Sequence, residues 1–232
     1  MTITLYELAG QDPDIRFSPY VWRIRLALAH KKLDYEGKAW RFTEKEAIDF
    51  TGQGKVPVLV DGDKTVHDSW DIACYLEDTY PDHPSLFGGE AGRAGAFFMK
   101  NWFETQVFGK IAKMVIADVH SILHEKDQEY FRTTREKFFG TALGDICPDE
   151  GAARADLKAA LTPMRKVLET QSYLGGDAPS FMDFIPFAAF MWARCVSDKV
   201  ILEADDPVHA WAERMLDCCG GMPRTAKCAK AA

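Results

Sequence analysis

Ile3 and Leu5 alternate with Thr2, Thr4 and Tyr6, the two-residue period of a half-buried strand. Helical spacing follows, with Val21, Ile24 and Leu28 on one face and Lys31-Lys32 suited to a last turn. Residues 33–42, which include Tyr35, Trp40 and Phe42, predict a second strand, and Glu44 to Phe50 a short helix. Val56, Val58 and Val60 predict a third strand, and Asp61-Gly62 a tight hairpin into Lys64-Thr65-Val66. Ile72, Ala73, Leu76 and Tyr80 then recur at helical spacing until Pro81. The order is β-α-β-α-β-β-α. It calls for one right-handed crossover between parallel strands and one antiparallel hairpin, so a four-stranded mixed sheet with helices on its faces is expected.

Residues 81–90 (Pro-Asp-His-Pro-Ser-Leu-Phe-Gly-Gly-Glu) break both periods and read as a linker. Helical spacing resumes over 91–126 through Phe98, Trp102, Phe103 and Val107. Further helices are expected near 128–143, 150–171, 181–196 and 207–218. The expected division is therefore an α/β domain at 1–80, a linker at 81–90 and an all-helical domain at 91–232. The apolar run Phe184 to Ala193 is bounded by Asp183 and Arg194 and contains Pro186. It falls far short of the ~20 residues a bilayer span needs, so it predicts a buried helix and no membrane partner.

Composition narrows the chemistry. A net charge of −7 argues against a nucleic-acid partner, because phosphate neutralisation needs clustered cations. The cysteines at 74, 147, 195, 218, 219 and 228 form no Cys-x-x-Cys pair, and Met1 leads directly into the first strand with no secretory leader recognised. Reduced thiols and a cytoplasmic location are expected. Cys218-Cys219 invites a redox reading, yet adjacent cysteines rarely bridge, and Gly220-Gly221 predicts a mobile setting.

Ser18-Pro19-Tyr20-Val21 opens the first helix. Pro19 suits the first helical position and Ser18 the cap before it. A thioredoxin-type redox site would read Cys-Pro-Tyr-Cys here, with a thiol activated by the helix N-terminus. Ser18 and Val21 replace both thiols, so a thiolate at this place has to arrive with a ligand. Val56-Pro57 either opens an edge strand in trans or, in cis, presents the Val56 backbone to a peptide-like ligand. Asp68-Ser69 opens the next helix, with Asp71 three residues after the cap. It reads as a cap, or as a cap that also receives a carboxylate on Ser69.

These three pairs occur in the order of a thioredoxin-like fold. Together with Gly54-Lys55-Val56-Pro57-Val58-Leu59, Tyr173-Leu174-Gly175-Gly176-Asp177 and the Ser180-Phe181-Met182-Asp183 capping-box pattern, they resemble the cytosolic glutathione transferase family over essentially the whole chain. Ser18-Pro19-Tyr20-Val21-Trp22-Arg23 further resembles its bacterial β-etherase and fungal etherase-like branch. The resemblance implies a thioredoxin-like N-terminal domain, an all-helical C-terminal domain and a homodimer with a detoxifying activity. It implies glutathione as co-substrate, with a small hydrophobic electrophile as its partner. Val56 would pair its backbone with the cysteinyl unit beside a cis bond to Pro57. Asp68 and Ser69 would hold the γ-glutamyl end, Lys55 or else Gln53 the glycyl carboxylate, and Ser18 would donate to the glutathione sulfur as the catalytic group.

The segment Gly10-Gln11-Asp12-Pro13-Asp14 makes the loop before Ser18 longer than in many family members, which raises Tyr6 and Tyr20 as alternative activators. Tyr6 falls within the strand alternation and is expected to pack in the sheet, whereas Tyr20 is expected to face the cleft. The aromatic stretch from Phe97 to Phe108 offers candidates for an apolar electrophile wall. His120 and His124 have the i,i+4 spacing of a helical zinc pair, but no Glu lies between them and no third ligand is apparent; no metal is expected. A glutathione-binding scaffold without turnover is the alternative function, since fold does not fix activity.

Overall fold

The computed structural model describes residues 2–229. Strands β1 (Ile3–Leu8), β2 (Tyr35–Trp40), β3 (Val58–Asp61) and β4 (Lys64–His67) form one mixed sheet in the order β2-β1-β3-β4. β1 runs parallel to β2 and antiparallel to β3, which pairs antiparallel with β4 across the Gly62 turn. Helix α1 (Pro19–His30) makes the crossover, and α2 (Ser69–Thr79) follows the hairpin. A 3-10 turn at Lys45–Thr51, closed by Gly52 at φ 70°, stands where the short helix was expected. This is the four-stranded mixed sheet that the period changes predicted, and it is the thioredoxin-like half that the resemblance implied.

The second half is helical: α3 (Glu90–Gln106), α4 (Phe108–Ile122), α5 (Glu125–Phe139), α6 (Glu150–Ala160), α7 (Thr162–Leu168), α8 (Phe181–Val196), α9 (Pro207–Leu216) and α10 (Cys218–Thr225). In α8 every residue except Met182 and Arg194 is buried. A helix apolar all round belongs in a core, and α8 packs against α1, α3, α4 and α9. Its N-terminus is closed by a capping box: the Ser180 hydroxyl accepts from Met182 N at 3.3 Å, and Asp183 accepts from Ser180 N at 3.1 Å. Asp183 also accepts from Leu174 N, Gly175 N and the Trp211 indole. Burial pushes its carboxyl above the ordinary value against the pull of those donors.

Several expected elements are divided. The helix over 91–126 breaks at Val107 (φ −118°, ψ −47°), a fully buried residue that ends α3 and begins α4. The helix over 150–171 breaks at Leu161, because Pro163 in the first turn of α7 has no N–H to continue the ladder. The third strand starts at Val58, two residues late, since the Val56-Pro57 bond is cis and Pro57 offers no ladder donor. His120 and His124 do not share a helix. α4 ends at Ile122, and His124 caps α5 with Nδ1 accepting from Lys126 N at 3.3 Å. His120 instead faces Arg132 at 3.3 Å. Among the described residues no group of three or more His, Cys, Asp or Glu is placed to hold a metal ion, and no helix is long and apolar enough to cross a membrane.

The glycine-rich segment after Cys218 packs against the body of the protein. Cys219, Gly220 and Gly221 take φ of 53°, 70° and 77°, which kinks α10. Cys218 is buried, and the Cys219 thiol reaches Leu26 O at 3.7 Å. The two halves are tied by polar contacts as well as packing. Asp127 of α5, fully buried, accepts from Phe42 N (3.0 Å), Thr43 N (3.0 Å) and the Thr43 hydroxyl (2.6 Å) just beyond β2. Phe181 N donates to Leu86 O at 2.8 Å.

Candidate active site

Sheet register brings the three candidate pairs to one end of the sheet. β3 opens at Val58 opposite Tyr6, so Val56-Pro57 lies by the carboxyl end of β1. β4 closes at His67 opposite Val58, so Asp68-Ser69 follows at that same end. Phe17 N bonds back to Leu8 O at 3.4 Å, which sets Ser18 just past the end of β1. The longer loop between them is itself built. Ala9 bridges Arg16, Gly10 N donates to Ile15 O, and Gln11 N donates to Ile122 O on α4. Arg16 also pairs at 2.9 Å with Glu7, a buried carboxylate that lies 3.6 Å from Arg25 as well. The extra residues thus fold against α4 and still deliver Ser18 to the helix start.

Ser18 is 5% exposed and sits at the cap with Pro19 behind it. Its Oγ accepts from Val21 N at 3.3 Å. A hydroxyl that accepts from a backbone amide keeps its own proton to donate. At this helix end the partial positive charge favours an anion. Tyr20 is the second residue of α1, two after Ser18. Its ring packs against Phe108 at 5.7 Å between centroids, and the Arg23 guanidinium stands 4.8 Å over it. Burial raises the Tyr20 phenol above its ordinary value, which keeps it protonated. Tyr6 belongs to the sheet, its ring near Phe50 and Lys38.

Asp68 caps α2, its carboxylate accepting from Trp70 N at 2.8 Å with φ at 69°. Asp71 takes no part in a reciprocal capping box there. Ser69 is 2% exposed, and its Oγ accepts from Arg23 Nη1 at 3.5 Å. In the 52–55 turn, Gln53 is spent locally: its amide donates to Lys55 O (2.8 Å) and accepts from Lys55 N (2.7 Å). That leaves the exposed Lys55 ammonium as the cation of the pair for a carboxylate.

Two residues were missed by the sequence reading. Arg23, 1% exposed, bonds Glu104 of α3 at 2.7 Å while touching Ser69 and Tyr20. A charge amid the apolar positions Val21, Trp22 and Ile24 was the available signal. Lys45 donates to Gly54 O at 2.7 Å beside Lys55, and its head lies 4.8 Å over Trp40. Burial lowers its pKa. Of the Phe97–Phe108 stretch, Phe103 is fully buried, whereas Phe108 stacks on Trp192 at 5.5 Å and reaches Tyr20. Cavities of about 350 Å³ beside Arg194 and beside His30 include none of Ser18, Val56 or Ser69.

Comparison with known proteins accounts for this arrangement. A crystallised glutathione transferase from Phanerochaete chrysosporium superposes with a TM-score of 0.83 at 26% identity, covering 92% of this chain and 96% of that one. A glutathione S-transferase of Ceriporiopsis subvermispora, crystallised in complex with glutathione, shares the fold with a TM-score of 0.80 at 22% identity, covering 100% of both chains. The glutathione S-transferase-like protein ustS of Aspergillus flavus is 29% identical over 138 residues, 55% of this chain. The match spans 50% of that protein's length. Residues 17–79, which hold all three candidate pairs, match the family described as "Glutathione S-transferase, N-terminal domain". Residues 95–217 match "Glutathione S-transferase, C-terminal domain", and on these two matches the chain belongs to the glutathione S-transferase family.

Proposed function

We propose that the chain is a glutathione transferase that activates the glutathione thiolate for attack on an apolar electrophile. The observation that carries this reading is the Ser18 hydroxyl, which accepts from Val21 N and retains its proton at a helix N-terminus. A sulfur placed there gains one O–H donor and the helix dipole, and both favour thiolate over thiol. A depression of about two pK units corresponds to ~2.7 kcal/mol, a plausible yield from those two groups. The thiol proton leaves to solvent, sulfur bonds to the electrophilic carbon, and the leaving group departs with the displaced electron pair.

Val56 supplies backbone groups to the cysteinyl unit beside Pro57, Ser69 receives the γ-glutamyl carboxylate with Asp68 on its amine, and Lys55 meets the glycyl carboxylate. Arg23 then orients Ser69: its donation to the Ser69 oxygen leaves the hydroxyl proton for the incoming carboxylate. The described residues up to 80 would serve as the glutathione-binding domain, and the helical domain would begin with α3, which opens at Glu90 at the end of the expected linker. Tyr20, two residues after Ser18, packs on Phe108, which stacks on Trp192, and this aromatic run is the wall that would take an aromatic electrophile. Aryl-ether cleavage of the etherase-like kind is the substrate class we place first. The chain acts in the cytoplasm as a detoxifying homodimer, a state supported by the exposed Phe97 and Phe98 on α3.

The test is a pH titration of the ultraviolet thiolate band of bound glutathione. Ser18→Ala should raise its midpoint by one to two units and lower kcat/KM about 10- to 100-fold, while Ser18→Thr retains most of the effect. An unshifted midpoint in Ser18→Ala would overturn the role given to Ser18. No thiolate band at neutral pH, despite binding, would leave a glutathione-binding scaffold.

A further inference from the structure

Adjacent Cys218-Cys219 drew the redox reading, yet a different pair is set for it. Cys195 lies near the end of α8 and is fully buried, and Cys228, half-buried, follows α10. Their sulfurs are 3.8 Å apart although 33 residues separate them in sequence. The backbones are also joined, Ala229 N donating to Cys195 O at 2.8 Å. Arg194 steadies the same segment by donating to Arg224 O at 3.2 Å. The thiols are unequal. Contact with Cys195 and the nearby Arg194 charge bring Cys228 down to about 7, while Cys195 is driven well above its ordinary value by that contact and by burial. They also differ in access: Cys195 is fully buried and Cys228 half-buried, so a disulfide arriving from solvent meets Cys228 first and Cys195 lies behind it.

We propose that Cys195 and Cys228 form a thiol–disulfide exchange site that takes small disulfides of the oxidised-glutathione class. Cys228 thiolate attacks one sulfur of the disulfide, whose S–S bond breaks; one glutathione leaves as thiolate and Cys228 carries the mixed disulfide. Cys195 then gives up its proton and attacks Cys228 Sγ, expelling the second glutathione. Two protein thiols lose two electrons and two protons, and the small disulfide gains both as two thiols. Closing 3.8 Å to a bond of about 2.05 Å asks for a modest approach of the Cys228 segment toward α8. Lys227, the preceding residue, pairs with Asp12 at 2.6 Å and lies 3.7 Å from Asp14. The bridge thus fastens the C-terminal segment beside the loop that leads to Ser18. None of the proposed glutathione-binding residues is required.

The experiment incubates the whole protein in oxidised/reduced glutathione buffers, traps thiols by acid and alkylation, and maps linkages by peptide mass spectrometry. The expected product is a peptide pair joined through residues 195 and 228. Cys228→Ser should lose the link and the adduct at that site, and Cys195→Ala should accumulate glutathione on Cys228. Bis-hydroxyethyl disulfide, which lacks the glutathione carboxylates, should give the same link, separating this chemistry from the site at Ser18. The wild-type map decides the matter even if Cys195→Ala folds poorly. An unmodified Cys228 in folded protein, a stable adduct there that Cys195 never resolves, or oxidation confined to Cys218-Cys219 would each overturn the proposal.

Discussion

Arg23 and Glu104 join α1 to α3 through one 2.7 Å ion pair, and the two partners are unequally buried at 1% and 24% exposure. That inequality predicts an asymmetric response to two volume-conserving substitutions. Glu104→Met strands the guanidinium, whose Nε and Nη2 have no hydrogen-bond partner and whose Nη1 keeps only the 3.5 Å contact to Ser69. Removing one member of a buried pair costs about 3–5 kcal/mol when the other charge stays behind. Arg23→Met leaves a carboxylate that still reaches water and has Lys100 at 3.2 Å. Its expected cost is nearer 1–2 kcal/mol. Replacing both by Met removes the stranded charge, so the double variant should also fall near 1–2 kcal/mol, a coupling of about 3–5 kcal/mol. Urea unfolding of the three variants measures this directly, and in melting temperature Glu104→Met should sit about 4–12 °C below Arg23→Met. Additive losses, or a larger loss for Arg23→Met, would refute the reasoning.

Asp127→Ala removes the acceptor for the Phe42 and Thr43 amides. Those charge-assisted bonds predict a loss of about 3–5 kcal/mol, read by denaturant titration. Gly92→Ala should impair folding more than an ordinary helix substitution, because an added Cβ would lie 1.8 Å from Phe87 O; soluble yield and melting temperature report it. His30 is lowered from 6.5, chiefly by burial, with Ser85 O at 3.0 Å from Nε2. The folded state therefore binds this proton less readily than the unfolded chain. Stability from this group is complete above about 6.5 and declines as pH falls toward the lower folded value. His30→Gln should flatten that part of the stability–pH curve, and an unchanged slope would dismiss the assignment.

The sheet was legible because Ile3 and Leu5 alternate with polar neighbours in β1, Val58-Leu59-Val60 is an apolar run too short for a helix, and Asp61-Gly62 marks the hairpin. Its strand order and register, which set Ser18, Val56 and Ser69 at one end of the sheet, are properties of pairing between distant segments. Helix breaks were less visible. No proline stands at Val107, only Gly109 two residues on, and the two helices that meet there both pack on α8. His120 and His124 show the converse error: their spacing fits a helix that ends between them at Ile122. Arg23 escaped notice because its partners, Glu104 and Ser69, lie 81 and 46 residues away. The Cys195–Cys228 approach was equally invisible, since only the return of the tail onto α8 creates it.

Asp127 supplies the acceptor that Phe42 N and Thr43 N require, and it lies 85 and 84 residues downstream of them. During synthesis the first half emerges well before that carboxylate exists. Until α5 is made, those two amides have only water as a partner, and α1 lacks the apolar surface of α8. A ribosome-bound chain stopped near residue 90 should therefore be protease-sensitive in its sheet and gain protection only once the later helices are made. The thioredoxin-like half is thus not a portable module: grafted elsewhere, it would need a substitute for a side chain it does not encode.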